Sequence, residues 1–441
     1  MKDEVDSTLQ SAWLEKTGLP ALVRIPKLAI RLDNLGIGIA GILATAIWGT
    51  VLDGAGSLCG GVPENAISQF VMARQLDQPH QEPSGDFGIF HVWRGHQARC
   101  TVDLVASAVP FRSVLTGTLI GQYLETHARS GALTHLTDMG YGLLWLLRHH
   151  SVFFVFFFAG LLLIWSLAGG AICRISAVQF AREEMLTYRD GLRFAWRRMV
   201  RGFALAPCIP FGICLLIVFL MFLGGLFLWI PLLGDVLGGL LFVFSILGGT
   251  IIAALMLGTA AGGHLFFPAV ATDGADGFDA FSRGFSYVFS KPWKAAWYAA
   301  FSAAYGAICW VVINVFAYIS LAVTRAVVSF GTAPFGWGLR SVGSEKSSKL
   351  QLLWTMGGLD HVYSAPQWSN LGVFEYISAV LIGLWVLLIV AAVWSFLLSL
   401  YFSASTVCYF LLRRDVDGTD IAEVFNEEPM SLGSIGPVSS K

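Results

Sequence analysis

The chain has 441 residues, of which 56% are hydrophobic and only 13% charged, with a mean hydropathy of +0.67. A soluble domain carries roughly 25% charged residues, so this composition excludes a globule wetted on every side. The net charge of −1 leaves no basic excess for a nucleic-acid partner, while the 33 Phe and 15 Trp suit lipid-facing helices and interfacial belts.

Six segments are long and apolar enough to cross about 30 Å of hydrocarbon: Leu35 to Leu52, Val152 to Cys173, Phe203 to Ile230, Val236 to Gly263, Ala295 to Thr324 and Val373 to Phe402. The expected fold is an all-α integral membrane protein with about six transmembrane helices and interfacial amphipathic helices. Residues 1–34 read as a cytoplasmic amphipathic N-terminus, 35–52 as the first span, 53–151 as a helical extracytoplasmic segment, and 152–412 as a five-helix bundle. Within the bundle, 174–202 and 264–294 are cytoplasmic segments and 326–372 an outer loop; 413–441 is an acidic cytoplasmic tail, and the Ser/Gly/Pro-rich stretch after Glu428 should be disordered. Pro231 to Asp235 joins the third and fourth spans as a tight helical hairpin.

Orientation follows from the basic residues. The four segments assigned to the cytoplasm hold 18 of the 28 Lys and Arg, although the two outer segments contain more residues. Both termini are therefore expected inside. Ala44-Thr45-Ala46 mimics a signal-peptidase site, but 34 residues precede that apolar run, and the first helix is expected to remain as an anchor.

In the outer segment, Pro63 can open a helix over Glu64 to Arg74, and Gln78 to Gly88 reads as a linker. Asp103, Pro110 and Arg112 favour helices lying on the outer face over a seventh span at 103–124. Trp337, Trp354 and Trp368 of the outer loop suit an interface. Cys59 and Cys100 are the two outer cysteines. They are either a disulfide, whose loop closure contributes about 3–4 kcal/mol, or two unrelated thiols.

Three motifs imitate catalytic or binding sites. Asp415-Val416-Asp417-Gly418-Thr419 resembles the nucleophile signature of haloacid-dehalogenase-type phosphatases, but it follows a membrane helix and only 22 residues come after it. Gly36-Ile37-Gly38-Ile39-Ala40-Gly41 spells a dinucleotide-binding string inside an apolar helix with no preceding strand. His96 and Cys100 share a helix face at the spacing zinc uses, with His91 nearby, but no HExxH motif accompanies them. No catalytic, cofactor-binding or metal-binding residue is expected.

The spans themselves hold no Lys or Arg, and their one carboxylate, Glu375, lies near an end. Ion-coupled transport usually needs intramembrane charge. Asn314 reads as an interhelical hydrogen-bonding group, and Gly234, Gly238, Ala254, Gly258 and Gly262 read as a close-packing helix face. On the inner side, Arg189, Arg193, Arg197 and Arg201 recur every four residues beside Arg198. Such a helix can contact anionic lipid, or it can simply obey the orientation rule.

Asp-Gly pairs follow three of the spans, at Asp190-Gly191, Asp276-Gly277 and Asp417-Gly418, and suggest a repeated plan. Asp273 or Asp276 can cap the helix after the fourth span, and Pro292 should end it. The run Ser403-Ala404-Ser405-Thr406-Val407-Cys408-Tyr409-Phe410-Leu411-Leu412-Arg413-Arg414, continuing Asp415-Val416-Asp417-Gly418-Thr419-Asp420, resembles the C-terminal signature of uncharacterised multi-pass membrane proteins of planctomycete-type bacteria. The resemblance is specific over roughly the last 40 residues, looser over Asp276 to Trp297, and weak elsewhere. It implies a bacterial inner-membrane protein and carries no activity or ligand.

Three functions compete on these grounds. A non-enzymatic scaffold, assembly or membrane-organising factor fits best, with the lipid bilayer, membrane-protein partners or a second copy as its contacts. A carrier of an apolar or lipidic solute is the alternative, since such a solute needs no intramembrane charge. A membrane enzyme lacks any positive sign. A cavity between spans three and six would favour the carrier.

Overall fold

The computed structural model describes residues 17–56, 61–75, 85–109, 118–127, 131–228, 233–332, 340–342, 345–347, 349–356 and 371–425. Cys59, Trp337, Trp368 and the tail beyond 425 lie outside the described residues.

Two short helices, α1 (Leu19–Val23) and α2 (Ile25–Ala29), precede α3 (Leu32–Gly56). Next come α4 (Ala66–Gln75), α5 (Ile89–Ala108), α6 (Leu119–His127) and α7 (Ala132–His149), and then the long α8 (Ser151–Arg182). Helix α9 (Tyr188–Arg198) runs through a π-helical stretch, Met199–Ala204, directly into α10 (Leu205–Leu228). Helix α11 (Leu233–Gly262) leads into α12 (Phe266–Asp273), followed by α13 (Gly277–Ser290) and α14 (Pro292–Thr332). A small antiparallel hairpin pairs β1 (Arg340–Val342) with β2 (Glu345–Ser347), before α15 (Lys349–Leu353) and α16 (Val373–Asp417). Six of these helical stretches are long and apolar enough to cross a bilayer.

Several are much longer than a bilayer needs. At 1.5 Å rise per residue, the 32 residues of α8 reach about 48 Å and the 45 of α16 about 68 Å, against about 30 Å of hydrocarbon. The excess builds a core at one end, here called the basic end. Residues 402–413 of α16 and 168–178 of α8 are buried on every side, as a helix enclosed by neighbours must be. Helices α9, α12, α13 and the short α2 surround them. Where the helices meet, side chains are small or hydroxyl-bearing: Ser176 and Ser403 share a hydrogen bond of 3.0 Å, and Ser399 donates to the Ala29 carbonyl at 2.8 Å. The same helices begin, at the opposite end, with exposed Val152, Phe156, Val373 and Phe374.

The hairpin of α10 and α11 is built otherwise. Only 6% of the most apolar stretch of each of its spans is buried, against 28% for the spans of α14 and α16. Gly248 of α11 packs on Met221 and Ile217 of α10, while Leu215, Phe222, Leu240 and Phe244 face outward.

The segment 53–151 is joined to the bundle. Val102, Val105, Ala106 and Val109 belong to the same continuous apolar cluster as α14 and α16, and Asp53 of α3 accepts the Phe90 amide at 2.8 Å, seating the start of α5. Trp354, expected at an interface, is buried with Leu321 of α14 and Val386 of α16. The reason is that α14 continues to Thr332, so α15 folds back between the two helices.

Candidate functional site at the basic end

Three helices end here, each in a left-handed residue that stops the helix: Glu183 after α8 (φ 59°), Gly274 after α12 (φ 65°) and Gly418 after α16 (φ 71°). Glycine takes that conformation without the steric cost a side chain adds. Two new helices then start on side-chain caps. Thr187 accepts the Asp190 amide at 3.4 Å to open α9, and Asp276 accepts the Asp279 amide at 2.9 Å to open α13.

The three Asp-Gly pairs are therefore not equivalent. Asp190 lies in the first turn of α9, Asp276 is a cap, and Asp417 closes α16 with Gly418 as the stop. Gly191 and Gly277 share a different role, close approach. A Cβ on Gly277 would lie 2.7 Å from Leu205 Cβ and 2.9 Å from the Ala206 nitrogen.

Asp273 is the hub of the polar network. It pairs with Arg413, with Arg283 at 2.8 Å, and accepts the Tyr409 hydroxyl at 2.5 Å. Arg283 also holds Asp279 at 3.0 Å. Beside it, Tyr287 donates to Asp417 at 2.5 Å, and Asp415 takes both Lys294 and the Tyr298 hydroxyl at 2.8 Å. Burial, and then the bond to Asp417, push the Tyr287 phenol up to about 12. Every acid in this network is matched by a cation or a phenol, so the charges lock helices together.

The segment after Gly418 is clamped onto the same end through its backbone. Arg413 donates to the carbonyls of Asp420 and Glu423 at 3.0 and 2.6 Å, Arg182 to Val424 at 3.0 Å, and Arg174 to Phe425 at 2.8 Å. The Phe425 amide returns a bond to Thr272 at 2.8 Å. Arg198 lies 4.8 Å from the Phe425 ring centroid and donates to the Gly274 carbonyl. Contrary to the sequence expectation, then, Arg198 faces the protein, because the docked Phe425 offers it an aromatic face.

Arg189, Arg193, Arg197 and Arg201 are exposed, together with Tyr188, Trp196 and Val200. Of the expected packing face, Gly258 and Gly262 approach Phe285 and the Gly284 carbonyl of α13, Gly238 is buried, and Ala254 faces outward. The partner of this stripe is thus α13. Gly234 lies in α11, and nothing further is described at it.

A cavity of about 650 Å³ lies between α3, α8 and α9. Its wall is Gly36, Ile37, Ala40, Gly41 and Ala44 of α3 with Ile164, Leu167 and Ala168 of α8; Leu32, Asp33, Tyr188 and Leu192 complete it. It lies between the first two spans, whereas the carrier expectation required one between spans three and six. Neither the cavity nor the Asp273 hub was foreseen from the sequence. The i, i+4 row of Gly36, Ala40 and Ala44 was the available signal for the cavity.

A second polar cluster joins α5, α6 and α7. Asp103 pairs with His127 at 2.6 Å and stands 4.0 Å from His135, and His96 meets the Asp138 carbonyl at 3.0 Å. Cys100 lies 3.6 Å from His96 and is unbridged. Burial, then Asp138 and Asp103, push its thiol up to about 11, so it is a protonated and poor nucleophile at neutral pH. Among the described residues, no group of His, Cys, Asp and Glu is arranged to hold a metal ion.

No family model, curated protein or solved structure matches this chain. Its class comes from its own architecture: an all-α, multi-pass membrane protein.

Proposed function

We propose that the protein is a non-enzymatic organiser of the membrane, a scaffold or assembly factor that holds other membrane helices through the α10–α11 arm. The observation that carries this reading is the arm's glycine content. Among the described residues, nothing lies within contact distance of where a Cβ on Gly224, Gly225, Gly239 or Gly249 would stand. Glycine inside a helix costs about 1 kcal/mol relative to alanine, and nothing in the arm's own packing offsets that. Small residues are what allow close helix approach in lipid, and a membrane-protein partner or a second copy of the chain would use them.

The reading places the protein in a bacterial inner membrane with N and C termini inside. The excess of Lys and Arg at the basic end supports this, as does the packing of Gly18 against Leu411 and Tyr298, which brings both ends of the described chain together. In this placement α9 and α13 are amphipathic helices at the inner leaflet, with exposed Trp196, Phe278 and Phe289, and Trp293 at the start of α14, as anchors. The exposed arginines of α9 then touch anionic lipid. The resemblance of residues 403–420 to planctomycete-type membrane proteins agrees with the compartment. A reporter fused after Asp190 should be active only in the cytoplasm, and external activity would overturn the orientation.

The test of function is photo-crosslinking in native membranes from Phe222 and Leu240, both exposed on the arm. Discrete protein adducts are expected there and not from buried Leu411. Lipid adducts alone would reject the scaffold.

A further inference from the structure

We infer that the cavity between α3, α8 and α9 holds one anionic phospholipid as a resident ligand, an acyl chain lying on α3 and the phosphate against Arg189. The inference rests on the inner-leaflet placement of the basic end and is independent of what the arm binds.

The shape is the first argument. The wall is almost wholly apolar, and its volume of about 650 Å³ falls within the range of sites that enclose small ligands, about 300–1,000 Å³. Gly36, Ala40 and Ala44 lie in one row along α3, about 12 Å from end to end. Among the described residues, a Cβ on Gly36 would meet no atom within 4 Å. Packing among the described helices therefore does not explain that glycine, whereas an acyl chain lying along the row does.

The charge at the rim is the second argument. Tyr188 lines the cavity, and its hydroxyl accepts the Arg189 guanidinium at 3.0 Å. Arg189 is exposed, as is Arg193 one turn further on, where Asp190 stands 3.9 Å away. The rim carboxylate, Asp33, is paired with Arg31 at 2.9 Å. Arg31 also bonds Gln179 at 3.2 Å and the Leu186 carbonyl, so this pair adds little net charge. An apolar slot with a net cation at its mouth matches a phosphate carried on hydrocarbon.

Native mass spectrometry of the full chain in mild detergent, with dioleoyl phosphatidylglycerol or dioleoyl phosphatidylcholine added, tests the site. One phosphatidylglycerol should remain bound in preference to phosphatidylcholine. Gly36→Phe, which fills the slot, should lose it. Arg189→Gln should keep a lipid but lose about fivefold in head-group preference, while Arg201→Gln, outside the cavity, should change nothing. Ala40→Phe repeats the filling test should Gly36→Phe not fold. Equal retention of the two lipids by the unaltered protein would overturn the inference, as would a folded filling variant that keeps its lipid. Crosslinks from Phe222 should survive in the filling variants, which separates failure here from failure of the scaffold reading.

Discussion

The basic halves of α8 and α16 and the α10–α11 arm are both apolar helix, yet they are made of different residues. The buried halves intersperse Ala, Ser, Cys and Gly with Ile, Val, Leu and, in α16, aromatic side chains, whereas the arm exposes an almost unbroken run of Leu, Phe, Val and Ile. Apolar surface is not what distinguishes interior from exterior in lipid, because hydrocarbon solvates Leu as well as a neighbouring helix does. What distinguishes them is side-chain size and hydrogen bonding. Helices that meet in this protein set small and hydroxyl-bearing residues among their large apolar ones, and the arm, with far fewer of them buried, presents its large aliphatics outward.

The contrast breaks most decisively at the hub. Asp273→Ala leaves Arg413, only 4% exposed, as an uncompensated buried charge. The expected loss is about 3–5 kcal/mol in detergent unfolding. Pairing it with Arg413→Met should recover part of that loss, and strictly additive effects would show that the two residues do not act together.

Next in size is a direct exchange of the same residue type. Leu411→Ala, at a fully buried site, should cost about 2–5 kcal/mol, whereas Leu220→Ala on the arm, 57% exposed, should cost less than about 0.5 kcal/mol. Equal melting temperatures for the two variants would dissolve the distinction.

Gly277→Ala sets the new Cβ against Leu205 Cβ and the Ala206 backbone, and should cost about 1–3 kcal/mol.

The smallest effect is in pH. Folding raises the Tyr287 phenol from 10.0 to about 12, with burial the largest cause. In that window the unfolded chain releases the proton first. The contribution of Tyr287 is thus full below about pH 10 and is lost as pH rises toward 12. Tyr287→Phe should flatten that segment of the stability profile.

Much of the frame was legible in the sequence. Hydropathy located the six spans, Pro292 opens α14, and of the two proposed caps Asp276 does the work. The hub was not legible, because Asp273 meets Arg413 across 140 residues and no local pattern records that pairing. Arginine spacing likewise concealed Arg198. Its four neighbours in the row point outward, and the docked Phe425, the Phe194 ring and the Gly274 carbonyl explain why it does not. The π-helical stretch was missed for a related reason. Residues 199–204 hold Gly202 but no Pro, and α9 passes through them directly into α10.

The backbone clamp on Phe425 has a consequence for how the protein is made. Arg174 leaves the ribosome 251 residues before the carbonyl that receives it. Phe194 and the Ala271 carbonyl meet the same guanidinium earlier in the chain, so the Phe425 carbonyl is the last of its partners to emerge and the clamp at the basic end closes in stages. Early insertion and late closure are thereby separate events. A nascent chain arrested before residue 420 should span the membrane with its α8 end still open to protease.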